Sequence, residues 1–287
     1  MSTLKVQAAA KVNLVLRVGK RRSDGYHEIE SLMVPVSLYD DIEIRAQPAR
    51  SVCVEVSVTG SEDVPVGPDN LAGKAAEAVL GALGLGAQVD ISLSKRIPVG
   101  AGLGGGSADA AAVVRALPGL LGHELSPGSS HDLALSLGAD VPFCLAARPC
   151  LARGIGELLE PVDGLDFPHL VVAVPEARVS TRWAYANALK GLTSLDRVPS
   201  LTRSSLAGRP LRELVANDFS PGVEAGFADV GRLSGMLTAA GAGATVMSGS
   251  GSAMVGLFTS EALARSAAAT FSRPDRAWAV EVLDRPV

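Results

Sequence analysis

The sequence is poor in aromatic residues, which make up 4% of 287 positions, so its core has to be built from alanine, valine and leucine. Cysteine is scarce too. Cys53, Cys144 and Cys150 are odd in number and scattered, with no Cys-x-x-Cys pair, which argues against a disulfide framework or a structural zinc site and for a reducing cytoplasm. There is no basic excess. Lys and Arg number 26 against 30 Asp and Glu, giving a net charge of −4, and nothing here would neutralise a nucleic-acid backbone. A signal-length apolar run is missing at the N-terminus, where Lys5, Lys11 and Arg17 interrupt the sequence. Only the stretch 233–260 is uncharged over a membrane-spanning length, and the glycines and serines between Gly241 and Ser252 mark a loop rather than a lipid-facing helix. What the chain does have is bulk hydrophobicity, 47% apolar against 20% charged, ample for a sizeable core and far from disorder.

Period-2 alternation dominates the first third. Val12, Leu14, Leu16 and Val18 share one face, as do Ile42 and Ile44, then Val52 to Val58 at every second position, then Val89, Ile91 and Leu93. Each run reads as a half-buried strand. A helix follows Pro68-Asp69-Asn70, with Leu71, Ala75, Val79, Leu80 and Leu83 at helical spacing. A second begins near Ser107 and is expected to stop at Pro118. In the second half, strands are expected at 169–174, 244–247, 253–258 and 277–282, and helices over 181–189, 211–215 and 223–239. The stretch 190–210 reads as a mobile connection with no assigned role. Helices and strands mixed without strict βαβ repetition imply an α+β architecture, with a soft domain boundary near 154–165.

The strongest local signal is Pro98-Val99-Gly100-Ala101-Gly102-Leu103-Gly104-Gly105-Gly106-Ser107, with five glycines in seven positions, placed after a strand and before a helix. Glycine lets backbone amides approach a ligand, and a helix N-terminus favours anions, so the segment suits a polyphosphate. No Gly-Lys-Ser/Thr closes it, so it is not a Walker A loop. A GxGxxG spacing exists (Gly100, Gly102, Gly105), but the preceding strand is polar on alternate positions, unlike the buried strand of a dinucleotide fold. Taken singly, the second glycine cluster, Met247 to Ser252, could be a hairpin loop. Lys11 and Asn13 share a strand face, and Tyr26-His27 closes a polar turn.

In that order and at those separations, the segments around Lys11–His27, Pro98–Asp109 and Met247–Ser252 resemble the three motifs of the GHMP kinase superfamily. The resemblance spans essentially the whole chain and extends to Pro68–Leu71, Leu137–Phe143, Ala152–Glu157 and Asn217–Phe219. More narrowly, Lys11-x-Asn13-Leu14 with Asp24-Gly25-Tyr26-His27 is similar to the branch that uses ATP to phosphorylate the 2-hydroxyl of a cytidine diphosphate ester of methylerythritol, in non-mevalonate isoprenoid synthesis. The resemblance implies a ribosomal-protein-S5-like N-terminal domain over 1–160 and a ferredoxin-like, acceptor-binding domain over 161–287. It implies that Asp140 is the general base with Lys11 as partner, and that Pro98 to Ser107 holds the triphosphate. Ser107 would also meet Mg2+, and no carboxylate ligand for that metal stands out in the sequence. Asn70 and Lys95 fall to the adenosine end. Tyr26 and His27 fall to the cytosine, with Tyr185 or Trp183 as the second stacking ring. Asn13, Gly249 and Gly251 fall to the rest of the acceptor. The expected partner is a small molecule, not nucleic acid or membrane, and the chain is expected to be a cytoplasmic monomer or homodimer. The rivals are a GHMP kinase for homoserine, mevalonate or a sugar, a non-catalytic nucleotide sensor, and a NAD-dependent enzyme. The first would not need the Asp24–His27 turn; the others would release no ADP or would bind nicotinamide instead.

Overall fold

A computed structural model describes residues 1–61, 64–189, 201–206 and 208–284. The first half is organised by one long hairpin, β1 (Ser2–Arg21) and β2 (His27–Pro48), paired antiparallel along most of its length. The short apolar runs of the sequence mark only fragments of these two strands. Register shifts at Ala9/Ala10 and Asn13/Val15 break the alternation, and such bulges re-aim side chains beside a site. Further along come β3 (Cys53–Thr59), α1 (Leu71–Leu83), β4 (Ala87–Ser94), α2 (Gly105–Leu120), α3 (Pro127–Leu137), α4 (Val141–Ala146), β5 (Cys150–Arg153) and β6 (Leu158–Pro161). The sheet runs β3-β4-β2-β1, with β5 and β6 added on the other half of β2.

Alanine does the packing that aromatics do elsewhere. Ala72, Ala75 and Ala76 of α1 and Ala108, Ala110, Ala111 and Ala112 of α2 are buried against Ile44, Val89 and Ile91 of the sheet. Small side chains let helix and sheet backbones approach closely, so area is buried with little side-chain entropy lost. Asn70 caps α1, its Oδ1 accepting from the Ala72 amide at 2.9 Å. Pro118 does not end α2 as expected. It lies inside the last turn, buried, and the helix runs on to Leu120. A proline this near the C-terminus forfeits a single backbone bond, and its ring joins the core.

The second half carries β7 (His169–Val174), α5 (Thr181–Trp183) running into a wider turn over Ala184–Ala188, α6 (Arg203–Leu206), β8 (Ala216–Asn217), α7 (Ser220–Gly226), α8 (Ala228–Ala239), β9 (Ala244–Met247), β10 (Met254–Phe258), α9 (Glu261–Ala268) and β11 (Arg276–Val280). The second sheet runs β11-β7-β10-β9 and is antiparallel throughout. That is the fourth-first-third-second order of a split β-α-β, ferredoxin-like unit. The fold is α+β. Three expectations shift. The helix read over 223–239 breaks at Phe227, whose backbone is extended and whose ring meets Trp183 edge-on at 4.7 Å. The stretch read as helical over 211–215 is only a short 3-10 turn, Leu211–Glu213. Most of the connection read over 190–210 lies outside the described residues. The uncharged stretch 233–260 is divided between the end of α8, β9 and β10, and no helix among the described residues is long and apolar enough to cross a membrane.

The halves interlock. β8 pairs parallel with β1 at Val15 and Leu16, so two residues of the second half extend the first sheet. Asp218 then accepts from the Val18 amide at 2.8 Å and from Arg17 at 2.9 Å. Leu14, Leu32, Val34, Leu170, Val172 and Val255 fill the space between the sheets.

Candidate active site

A cleft of about 1130 Å³ opens where the two halves meet. Its floor is the middle of β1. Lys11 and Asn13 are 5% and 3% exposed, and the Lys11 ammonium donates to Asn13 Oδ1 at 2.8 Å. The same ammonium lies 3.4 Å from Asp140 Oδ2. Asn13 in turn donates to Ser31 Oγ at 2.8 Å, and that hydroxyl donates to the Val15 carbonyl. Ser31 is a buried positioning group that carries no local signal in the sequence.

Asp140 stands at the N-terminus of α4, and its side chain makes no capping hydrogen bond. Its carboxylate therefore faces the cleft instead of its own helix. Val141 is the first helical residue of α4, although a residue that precedes proline is ordinarily biased to the extended region. Proline is well accommodated in a first helical turn, where its missing N–H costs nothing.

The glycine loop lies over Lys11. Ala101 and Leu103 point into the core, 2% and 1% exposed, while Gly100, Gly102 and Gly104 between them take φ of +70°, +77° and +68°. That alternation turns amides toward the cleft and needs glycine, because an L side chain is disfavoured at positive φ. A Cβ on Gly104 would sit 2.9 Å from Lys11 Cγ. The Lys11 amide donates to the Leu103 carbonyl at 3.0 Å, fixing loop to strand. Helix α2 starts immediately after, with no acidic residue in its first turn. Its leading N–H groups, which have no acceptor within the helix, form an anion site.

The second glycine cluster closes the cleft from the other half. Ser248 Oγ donates to the Gly102 carbonyl at 2.9 Å and accepts from the Asn13 amide at 3.2 Å. Asn217 donates to the carbonyls of Met247 and Gly249, both at 2.7 Å, which sets the path of the loop. The two glycine segments, far apart in sequence, thus lie in contact, and Gly249 and Gly251 line the cleft.

At the far end are Tyr26, His27 and Tyr185. Tyr26 is 61% exposed at the tip of the β1–β2 turn. The His27 ring turns its Nδ1 to the Gly19 carbonyl at 3.1 Å. Tyr185 lies 5.3 Å from the His27 ring and edge-on to Phe219 at 4.8 Å. Burial raises the Tyr185 hydroxyl, and the Asp140 charge adds to this, so it stays protonated at neutral pH. Trp183 points elsewhere, against Phe227 and Gly226. Of the two candidate rings, Tyr185 is the one in the cleft.

A smaller cavity of about 390 Å³ shares Gly100, Gly102, Gly104 and Ser107 with the cleft and is also lined by Asn70, Lys95, Pro98, Val99, Gly105 and Gly106. Two residues assigned to it have their polar groups committed inward. Asn70 spends its amide on the cap and on the Pro65 carbonyl. The Lys95 ammonium lies 2.5 Å from both Asp40 Oδ2 and Asp109 Oδ2. Desolvation acts to lower Lys95, but the charges of Asp109 and Asp40 outweigh it and hold the ammonium above an ordinary lysine. Burial pushes the Asp109 carboxyl up to about 7, with Lys95 opposing and Asp40 reinforcing. A buried Asp in the middle of a strand (Asp40) and one in an alanine-rich helix (Asp109) were the available sequence signals for this pair.

As to metal, Ser107 offers a hydroxyl within the first turn of α2, on the wall common to both cavities. Among the described residues no group of three His, Cys, Asp or Glu is placed to hold an ion. An oxygen-only, partly solvated donor set suits Mg2+, which keeps waters and takes phosphate oxygens.

Comparison with known proteins identifies relatives of the whole chain. Residues 70–148 match the family described as GHMP kinases N terminal domain. The chain is 40% identical over 278 residues to 4-diphosphocytidyl-2-C-methyl-D-erythritol kinase of Geobacter sp. (strain M21), covering 97% of each chain. It is 41% identical over 264 residues to the enzyme of that name from Anaeromyxobacter dehalogenans, covering 91% of this chain and 82% of the relative. A crystal structure of 4-(cytidine 5'-diphospho)-2C-methyl-D-erythritol kinase superposes with a TM-score of 0.80 at 38% identity, over 97% of this chain and 99% of that one. Homoserine kinase from Cytophaga hutchinsonii shares the fold, with a TM-score of 0.74 at 20% identity over 99% and 96% of the two chains. With near-complete coverage at such identity, the chain belongs to the 4-diphosphocytidyl-2-C-methyl-D-erythritol kinase family of the GHMP kinases.

Proposed function

We propose that this chain transfers the γ-phosphoryl group of ATP to the 2-hydroxyl of 4-diphosphocytidyl-2-C-methyl-D-erythritol, as a cytoplasmic, Mg2+-dependent enzyme. The observation that carries the reading is the Lys11–Asp140 pair, 3.4 Å apart on the cleft floor, with the carboxylate left uncapped. Phosphoryl transfer demands little covalent chemistry from a protein and much positioning. Asp140 accepts the proton of the acceptor hydroxyl as its oxygen bonds to the γ-phosphorus and the bond to ADP breaks. Lys11 orients that oxygen and meets the negative charge that develops on it, while its bond to Asn13 keeps the ammonium in place. The α2 amides and the Gly100–Gly106 backbone hold the triphosphate. Mg2+, bound by Ser107, phosphate oxygens and water, would neutralise charge on the phosphates.

Tyr26 and Tyr185 take the two faces of the cytosine and His27 its edge; stacking of a base on an aromatic ring contributes about 1–3 kcal/mol. Asn13 and the Gly249–Gly251 backbone hold the sugar alcohol and diphosphate. Asn70, Lys95, Pro98 and Val99 bound the adenosine cavity. In this reading residues 1–160 supply the nucleotide side and residues 161–287 the acceptor side, with β8 crossing between them.

A coupled ADP-release assay over a panel of acceptors tests the reading. The cytidylyl ester should be turned over with a kcat/KM orders of magnitude above homoserine or mevalonate. Preference for either of those would leave the kinase chemistry and remove the acceptor assignment.

A further inference from the structure

Three ionisable side chains lie buried beneath the glycine loop, two of them, Lys95 and Asp109, at the back of the smaller cavity. Asp40, on β2, is 0% exposed, Asp109, on α2, is 2%, and Lys95, just after β4, is 6%. Asp40 uses both oxygens on the segment that enters the loop. Its Oδ1 accepts from the amides of Arg96 at 2.5 Å and Ile97 at 2.9 Å, and its Oδ2 takes the Lys95 ammonium. That ammonium also reaches Asp109 Oδ2, at the point where the chain has left the loop and completed the first turn of α2. The loop between Lys95 and Asp109 is therefore closed at its base through one ammonium and one carboxylate. Gly105 is packed onto the same point: a Cβ there would sit 3.0 Å from Ile97 and 3.5 Å from Asp40 Oδ2.

This is a costly way to hold a loop. Burying three charges is often no better for stability than burying apolar groups of equal size. The arrangement is also incomplete, because Asp109 Oδ1 is buried with no partner among the described residues, and such an atom carries a desolvation penalty. Asp40 and Lys95 alone would form a neutral, satisfied pair. Asp109 adds a net negative charge and an unsatisfied oxygen, so stability does not account for it. What Asp109 does add is a link from the pair to α2, whose first amides face the phosphate site.

We infer that Asp109 is a positioning residue for the nucleotide: through Lys95 and Asp40 it locks the N-terminus of α2 against the incoming strand, fixing the direction of the phosphate-binding amides. Lys95 on this account acts from below the loop and does not read the adenosine directly. The inference rests on the loop being the nucleotide site, as in the proposed function.

The test uses the full chain and two substitutions. Asp109→Leu removes the link, the extra charge and the orphaned oxygen, while leaving the Lys95–Asp40 pair intact. Asp109→Asn keeps an oxygen for the Lys95 ammonium. Direct calorimetric titration with ATP is read beside the denaturation midpoint and the separate KM values for ATP and the cytidylyl acceptor. Asp109→Leu should unfold at the parent's midpoint or above it, yet bind ATP about tenfold more weakly, because sub-ångström misdirection of binding groups is expensive. Its acceptor KM should stay within about twofold of the parent, and Asp109→Asn should recover ATP binding to within about threefold. If Asp109→Leu binds ATP as the parent does, the inference is overturned while the kinase reading stands. If its affinity falls only in step with its stability, the inference is likewise overturned and Asp109 is structural. A parent chain that binds no ATP overturns both.

Discussion

Contact between the two glycine segments can be broken at one atom. A Cβ on Gly102 would collide with the Ser248 carbonyl oxygen and lie 3.1 Å from its carbon and 3.2 Å from the Gly251 carbonyl oxygen. All three are backbone, so no side chain can swing aside. Relief to ordinary contact near 3.5 Å requires the segments to part by on the order of 1 Å. Gly100 is the matched control, with almost the same φ (+70° against +77°) and nothing within 4 Å of its Cβ. Gly100→Ala should cost about 1–2 kcal/mol for alanine at positive φ. Gly102→Ala should cost that much plus about 1–3 kcal/mol for overpacking, and the shift in geometry should lower kcat/KM about 10²-fold. Urea denaturation and ADP-release kinetics on both variants check the difference. Equal stability and equal kcat/KM in the two would refute the argument that close approach of these backbones builds the site.

Asp140→Asn and Lys11→Met should each lower kcat about 10²–10⁴-fold while changing the KM for ATP only a few-fold, read by ADP release. Tyr185→Ala should raise the acceptor KM about tenfold or more with kcat less affected, whereas Trp183→Ala, which removes a contact with Phe227, should lower the denaturation midpoint and leave that KM near its parent value. The pH dependence of stability should carry the mark of Asp109. Its folded pKa of about 7, raised chiefly by burial, lies above the ordinary value near ~3.9. Its contribution is therefore most favourable below pH ~4 and is lost as pH rises through about 7. Urea midpoints between pH 5 and 8 should fall less steeply in Asp109→Asn than in the parent; identical slopes would count against a raised pKa for this buried carboxyl.

Strand-forming alternation and the glycine loop were readable because both are local. Val89-Ile91-Leu93 needs only its own pleat, and five glycines before an alanine-rich helix state their purpose without the rest of the chain. The GHMP resemblance brought Lys11, Asp140, Tyr26 and His27 into one cleft on paper, and they line one cleft in the structure. Choosing Tyr185 over Trp183 required the fold, since rings two residues apart on a helix diverge and only the packing of Phe227 decides which is turned away. Pro118 and the break at Phe227 escaped for a related reason: tertiary burial overrode the local rule in one case and interrupted a continuous pattern in the other. The roles of Ser31, Ser248 and Asp40 could not be read locally because their partners lie tens to hundreds of residues away.

The pairing of Ala216 and Asn217 with Val15 and Leu16 has a practical corollary for protein engineering. A chimera that exchanges the C-terminal half with that of a homoserine kinase, to change what is phosphorylated, would sever a ladder and the Asp218 bonds to Arg17 and Val18 unless residues 15–18 travel with the graft. Those positions lie within the strand that bears Lys11 and Asn13. Exchange of the C-terminal half therefore has to be designed as a three-segment transplant, and the crossover point suggested by chain order alone is the wrong place to cut.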